Sequence, residues 1–535
     1  MCGIAGFYSN LFSREDLMSM TNRMAHRGPD ASGFSHIGNC GLGHRRLSII
    51  DLSNAANQPM TSHSGKHIMV FNGEIYNYLE IADELKKSNP SLVFNTHSDS
   101  EVILEAFEVW GETFVERMNG MFAIAIYSIE DRKLYLFRDR MEIKPLFIYL
   151  HDDTLAFASE LKSITELLKP KNKLNIDRDA VGEFLHLGYI PAPKTIYREI
   201  QKFPKASYGV FDGKSLKTET WWNLNNKIGP SSIKDEFEAK EKLKSLITSA
   251  VKYRLISDVP FGTFLSGGTD SSVVTAVAQQ VSNEQIKTFS IGFDDAKHNE
   301  APFAKQVAKH LNTNHHEYTL SYKDALQLIP QMQEMYDEPY ADSSAVPTFL
   351  VSQMAKQRVT MTLSGDGGDE LFMGYGAYNW ANRMSNPLLK AGHNVAAGIL
   401  KMGSDKYKRV SSLLSYPKGT FIPSQIFSQE QYFFSWQEVQ SLMKSEDLTL
   451  DFSLYSKQVN RTLSAAEKQA LFDLHYYLPD DLLVKVDRAT MQNSLETRVP
   501  LLDYRIVEFA LNLPEALKIK NGCSKYLLKI GRAHV

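Results

Sequence analysis

Val259-Pro260-Phe261-Gly262-Thr263-Phe264-Leu265-Ser266-Gly267-Gly268-Thr269-Asp270-Ser271-Ser272-Val273 reads as a short apolar strand that runs into a Ser/Gly loop and then into a helix opening near Val273. The order recurs downstream. Lys287–Phe293 and Val359–Leu363 are apolar runs between long helical windows, and the second leads into Ser364-Gly365-Asp366-Gly367-Gly368-Asp369-Glu370 ahead of Leu371. Strands that alternate with helices in this way after Ser231 predict a parallel α/β sheet. Both loops then fall at carboxyl ends of strands, where open α/β sheets bind ligands.

Each loop has its own chemistry. In Ser266–Ser272, glycines let the backbone approach an anion, N–H groups at a helix start attract negative charge, and hydroxyls add donors. That is a phosphate cradle, although an ordinary Ser/Gly-rich turn would look similar. It lacks the lysine of G-x-x-x-x-G-K-[ST], which disfavours a kinase or P-loop ATPase and favours a site for leaving pyrophosphate. In Ser364–Glu370, acidic side chains beside glycines suit Mg²⁺ held together with phosphate oxygens; a solvated acidic turn is the alternative.

The first part, to about Ala158, has a different texture. Short extended segments (68–71, 122–127, 134–137 and 155–157) are punctuated by Gly, Asn and Asp turns, and Ser100–Trp110 carries a helical apolar face with Asp99 just outside its start. Layered sheets and helices are expected there. Lys169–Pro230 is rich in proline and polar turns without sustained periodicity, and reads as linker and bridge.

Composition narrows the function classes. The 535 residues are 43% apolar and 23% charged, which excludes global disorder. With 59 basic against 62 acidic residues the formal charge is -3, so nothing drives non-specific binding to nucleic acid. Cys2, Cys40 and Cys523 form neither a disulfide framework nor a cysteine zinc site, which fits a reducing cytoplasm. The most apolar run, Gly120–Ile129, is too short to cross a bilayer, and no export signal precedes it. His315 and His316, being adjacent, point differently and read as structural or surface residues.

Removing Met1 would leave Cys2 with a thiol and an α-amine of pKa about 8 that can take the thiol proton. Alone, such a cysteine is more simply a small buried residue. The same half also carries His26-Arg27-Gly28-Pro29-Asp30, Arg46-Leu47-Ser48-Ile49, Asn72-Gly73-Glu74-Ile75-Tyr76-Asn77 and Ser98-Asp99. These supply the guanidinium, carboxylates and oxyanion donors that a glutamine molecule requires.

Taken with the two loops and Val499-Pro500-Leu501-Leu502-Asp503, these motifs resemble, in order and over nearly the whole chain, glutamine-hydrolysing asparagine synthetases of the bacterial B type. The resemblance implies an α+β amino-terminal domain, a four-layer αββα sandwich of the N-terminal-nucleophile class (residues 1–205), a linker (206–235) and a parallel α/β ATP-pyrophosphatase domain (236–535). It implies Cys2 as nucleophile, an oxyanion hole from Asn72 and the Gly73 N–H, and glutamine held by Arg46, Glu74 and Asp99. Ammonia would pass through an internal tunnel to an aspartyl-adenylate. Leu265 and Ile291 match nucleotide contacts, as do the Ser364 and Gly365 backbones. Ser266, Gly267, Gly268, Asp270, Ser271 and Ser272 match the pyrophosphate cradle, Asp270 and Asp369 the metal carboxylates, and Lys525 the lysine on the leaving phosphate. Asp366 matches the acid that positions the intermediate or deprotonates ammonia, and Lys485, Asp487 and Arg488 match a K-V-D-R stretch of the bacterial enzymes. Substrates are then glutamine, aspartate and ATP with Mg²⁺, in a cytoplasmic homodimer.

Thr269, Met373 and Lys205-Ala206 depart from the family pattern at an aliphatic, a glycine and a Pro-Gly position. None removes a charge the chemistry needs. The last six residues, Ile530–Val535, do not resemble the family's continuation, so the synthetase domain is expected to be truncated. Two other functions fit the same loops: amidation of another carboxylate, such as a sugar acid or peptide, and a glutaminase or ligand-binding regulator with a silent synthetase half.

Overall fold

A computed structural model describes the chain except for residues 1, 170–173, 231–232, 295–298, 417–419, 446–447, 456–457 and 533–535. Part of the unusual carboxyl end noted above thus lies outside the described residues. The strands are β1 (Gly3–Tyr8), β2 (Ala31–Ile37), β3 (Cys40–Arg46), β4 (Met60–Thr61), β5 (His67–Ile75), β6 (Gly120–Ser128), β7 (Lys133–Arg138), β8 (Phe147–His151), β9 (Thr154–Ala158), β10 (Ile200–Lys202), β11 (Ser207–Phe211), β12 (Leu216–Thr220), β13 (Phe261–Phe264), β14 (Lys287–Phe293), β15 (Asn314–Leu320), β16 (Met361–Leu363) and β17 (Glu496–Arg498).

Two six-stranded sheets, β10-β8-β9-β1-β3-β2 and β12-β11-β7-β6-β5-β4, make up the amino-terminal half. Their pairings are antiparallel. Side chains from both sheets, among them Ile4, Leu42, Val70, Ala125, Leu136 and Phe157, meet in one core. The outer face of the first sheet is covered by the helices Arg14–Asn22, Leu161–Leu168 and Arg178–Leu187, and that of the second by Tyr78–Ser88 and Asp99–Trp110. Strand alternation thus buries both faces of each sheet and gives four layers, αββα.

Three expectations are corrected in detail. The stretch 206–235 is not wholly a linker, because β11 and β12 extend the second sheet. Their turn-rich, partly exposed sequence hides the alternation. Asp99 lies inside its helix and Ser98 caps it, accepting from Glu101 N at 3.5 Å. The helices after the two glycine loops begin earlier than expected, at Thr269 and Gly368, since glycine and aspartate are good first-turn residues despite low interior propensity. Ala206 adopts φ +49°, the left-handed region that glycine, the usual family residue here, enters without strain.

The carboxyl-terminal sheet runs β15-β14-β13-β16-β17, all parallel. Chain order reverses between β13 and β16, and the crevice at that switch point is where the two glycine loops lie. His315 and His316 sit on β15; the His315 ring Nδ1 and the Thr288 hydroxyl share a hydrogen bond of 2.9 Å, a structural role.

The two halves meet across buried ions. Arg27, fully buried, donates to Asp487 at 2.7 and 3.1 Å and to Glu160 at 3.0 Å, and Arg488 pairs with Glu160 at 2.8 Å. Asp487 also faces Lys144 at 3.6 Å. Although burial alone would raise its pKa, Arg27 and Lys144 hold the Asp487 carboxyl below its ordinary range. Asp487→Ala is expected to cost about 3–5 kcal/mol, because it strands buried cations. A thermal transition that does not move in this variant would show that the pair contributes nothing.

Candidate active site

Cys2 enters β1 and is nearly buried. Its N–H donates to Asn72 Oδ1 at 3.0 Å, its thiol points to Leu47 O at 4.0 Å, and its carbonyl accepts from Arg27 Nε at 3.0 Å. Burial pushes the thiol pKa up, so the group stays protonated at neutral pH and needs a base beside it. One cavity is lined by Cys2, Arg46, Gly73, Glu74, Ser98 and Asp99. Its walls come from the ends of β3 and β5 and the start of the helix Asp99–Trp110.

Local sequence explains each placement. A Cβ at Gly73 would meet Met121 O at 2.1 Å, so glycine alone lets β5 press on β6 there. Arg46 is fixed by Ser53 O and Asn57 Oδ1, each at 2.7 Å, and by Asp51 O, which aims a cation at the cavity edge. Asp99 Oδ2 accepts from Ile75 N at 2.9 Å, and burial lifts its pKa to about 6. Glu74 is raised well above its usual value by burial and by Glu496, with Arg498 opposing. Asn72 is fully buried next to Gly73, its amide oxygen held by Cys2 N and its amide nitrogen donating to Ser159 Oγ at 3.4 Å.

At the second site, Ser266 Oγ and Ser271 Oγ share a hydrogen bond of 3.0 Å, and Gly268 N donates to Ser266 Oγ at 3.2 Å. A Cβ at Gly365 would meet Ser271 N at 2.6 Å, so the loops after β13 and β16 touch only because that residue is glycine. Lys525 Nζ joins them, donating to Asp270 Oδ2 and lying 2.6 Å from Asp369 Oδ1. Burial and the neighbouring Asp369 raise Asp270 to about 6 against the pull of Lys525, whose own pKa these carboxylates hold up against burial. Asp366 Oδ2 accepts from Ser364 Oγ at 2.6 Å, and burial raises its pKa.

Two carboxylates converging on one ammonium, with buried Asp270 Oδ1 and Ser272 Oγ lacking partners among the described residues, fit a hard cation shared with phosphate oxygens. Among the described residues, no group of three or more His, Cys, Asp or Glu side chains is placed to hold a metal ion. Leu265 is buried under the cradle against Ala304 and Ala308, whereas Ile291 packs away from the acidic loop, against the group around Leu320 and Phe349.

The structure also shows contacts that motif reading did not foresee, and one residue, Arg498, that it did not name. Arg27 belongs to a stretch expected to serve glutamine, yet it ties Cys2 O to the other half. Arg498 stands 3.2 Å from Glu74. Lys485 donates to Asp342 at 2.7 Å and Ser344 at 2.8 Å. No local signal sets them apart, because a buried cation is tolerated through partners that lie far away in the chain.

Comparison with known proteins agrees with this geometry. A family model described as asparagine synthase matches residues 242–532, and one described as glutamine amidotransferase domain matches residues 1–222. The chain is 34% identical over 546 residues to asparagine synthetase [glutamine-hydrolyzing] 1 of Bacillus subtilis, covering 99% of this chain and 84% of that protein. It is 37% identical over 399 residues to a putative asparagine synthetase [glutamine-hydrolyzing] 2 of Methanocaldococcus jannaschii, covering 70% and 76%. Asparagine synthetase B of Escherichia coli is 32% identical over 400 residues, covering 70% and 65%.

Proposed function

Since the chain belongs to the glutamine-hydrolysing asparagine synthetase family, we propose that it transfers the amide nitrogen of glutamine to the side-chain carboxylate of aspartate at the expense of ATP. The observation that carries this reading is the cavity at Cys2, where a thiol faces a guanidinium and two carboxylates. An amino acid with a side-chain amide matches that set of charges.

In the first half-reaction, loss of Met1 frees the Cys2 α-amine, which takes the thiol proton. Sulfur attacks the glutamine amide, the Gly73 N–H and Asn72 hold the oxyanion, and ammonia leaves as the thioester forms. Arg46 pairs the α-carboxylate, and Glu74 and Asp99 fix the ammonium. Water then releases glutamate. At the second site Ser266, Gly268, Ser271 and Ser272 cradle the phosphates while the Ser364 and Gly365 backbones hold the nucleotide beside Leu265. Lys525 neutralises charge on the departing pyrophosphate. When bound, Mg²⁺ would be held by Asp270 and Asp369 and supplies further charge neutralisation. Asp366, whose pKa burial raises, orients or deprotonates ammonia as it displaces AMP.

The reading extends to a cytoplasmic homodimer. All three cysteines are free, and no helix among the described residues is long and apolar enough to cross a membrane. AMP release from ATP-Mg²⁺ with ammonia tests the function directly. Aspartate is expected to be required, with one asparagine formed per AMP. AMP release that ignores aspartate would overturn the acceptor assignment, and absence of AMP with intact glutaminase would overturn the synthetase assignment.

A further inference from the structure

Strand β17 belongs to the carboxyl-terminal sheet, yet it ends at the wall of the Cys2 cavity. Thr497 points into its own sheet, sharing a hydrogen bond of 2.9 Å with Thr362. The alternation of the strand therefore sends Glu496 and Arg498 to the opposite face, where both are fully buried. Arg498 Nε donates to Glu496 Oε1 at 2.5 Å, Nη1 donates to Arg254 O at 2.9 Å and Ile256 O at 2.7 Å, and Nη2 lies 3.2 Å from Glu74 Oε2. The guanidinium also sits over Tyr76, 5.5 Å from the ring centroid.

The backbone of the same residue serves the other site. Arg498 O accepts from Ser364 N at 3.0 Å, at the first residue of the loop that carries Asp366 and Asp369. A side chain that holds a glutamine-reading carboxylate and a carbonyl that anchors the nucleotide loop are thus parts of one residue, on the short strand β17. The contact to Glu74 is unshared: neither Glu74 Oε2 nor Arg498 Nη2 has another hydrogen-bond partner among the described residues. When the ammonium of a substrate engages Glu74, the charge balance at Arg498 changes, and Arg498 is paired in register with Leu363, the residue before Ser364.

We propose that Arg498 is a positioning residue that couples the two sites, so that filling the ATP and aspartate site changes glutamine affinity through Glu74. The proposal rests on the function proposed above. Coupling of this kind is reciprocal and is typically worth about 5- to 150-fold in affinity.

The test uses the full chain in a Cys2→Ala background, which binds glutamine without turning it over. Glutamine is titrated calorimetrically with and without ATP-Mg²⁺ plus aspartate. The parent is expected to show a change in Kd of at least about fivefold. Adding Arg498→Lys, which keeps a cation but loses the planar fork, is expected to shrink that factor to below about twofold. Arg498→Lys with Cys2 intact is expected to keep ammonia-dependent synthesis, because the carbonyl to Ser364 remains. Glu74→Gln, a neutral isostere, is the second variant should Arg498→Lys not fold, and is expected to lose the same factor. An equal change in Kd in parent and variants, or none in the parent, overturns the coupling. Wild-type protein without aspartate-dependent AMP release removes the underlying reading instead.

Discussion

Cys2→Ala is expected to lower glutamine-dependent asparagine formation by about 10³-fold or more while leaving ammonia-dependent synthesis near the wild-type rate. The size follows from the geometry of the cavity, in which Cys2 supplies the one thiol among the residues that line it with Arg46, Glu74 and Asp99. The selectivity follows from distance in the fold. Cys2 immediately precedes β1 of the amino-terminal sandwich, whereas Asp270, Asp369 and Lys525 converge at the switch point of the other sheet. Removing one sulfur atom from a nearly buried position leaves a cavity too small to disturb that switch point. Assays with each nitrogen donor, run side by side, check it. Loss of both activities would show that the two-site division is wrong. Retention of both would mean that another group attacks glutamine.

The parts of this arrangement that sequence reading reached are those where local pattern and chemistry coincide. The strand-loop-helix order at Val259–Val273 predicts the parallel sheet because glycine, serine and apolar runs punctuate the chain on the scale of single elements. Cys2, Arg46, Glu74 and Asp99 were expected together from their motifs, and they do line one cavity. What stayed hidden is pairing at long range. Arg27 and Asp487 are 460 positions apart, and nothing local to either says that they form a bidentate pair. The same holds for Glu74 with Arg498. Strands β11 and β12 were missed for a different reason. Leu216–Thr220 is an edge strand with mostly exposed side chains, so burial never imposes the alternation that periodicity reading needs.

Lys525→Ala is expected to reduce AMP and asparagine formation from either nitrogen donor by about 10²–10³-fold, with glutaminase turnover by Cys2 retained. Lys525 is the one cation joined to both Asp270 and Asp369 among the described ion pairs. Charge develops on the bridging oxygen and pyrophosphate as the aspartate carboxylate takes AMP, and a preorganised ammonium held above its ordinary pKa opposes that charge without reorganising. Its removal also leaves two carboxylates facing each other in a partly buried crevice, so Asp270, already raised to about 6, is pushed further towards the neutral acid. A neutral Asp270 is a poorer ligand for a hard cation. The variant is therefore expected to need more Mg²⁺ for half-maximal activity, and raising the pH should recover part of the loss as Asp270 ionises again. Lys525→Arg, which restores charge on a longer and planar group, should recover only part of the rate. Pyrophosphate release measured across a Mg²⁺ series at two pH values separates these effects. A fall in rate with no change in the Mg²⁺ requirement would assign Lys525 to the leaving group alone, and an unchanged rate would remove it from the reaction.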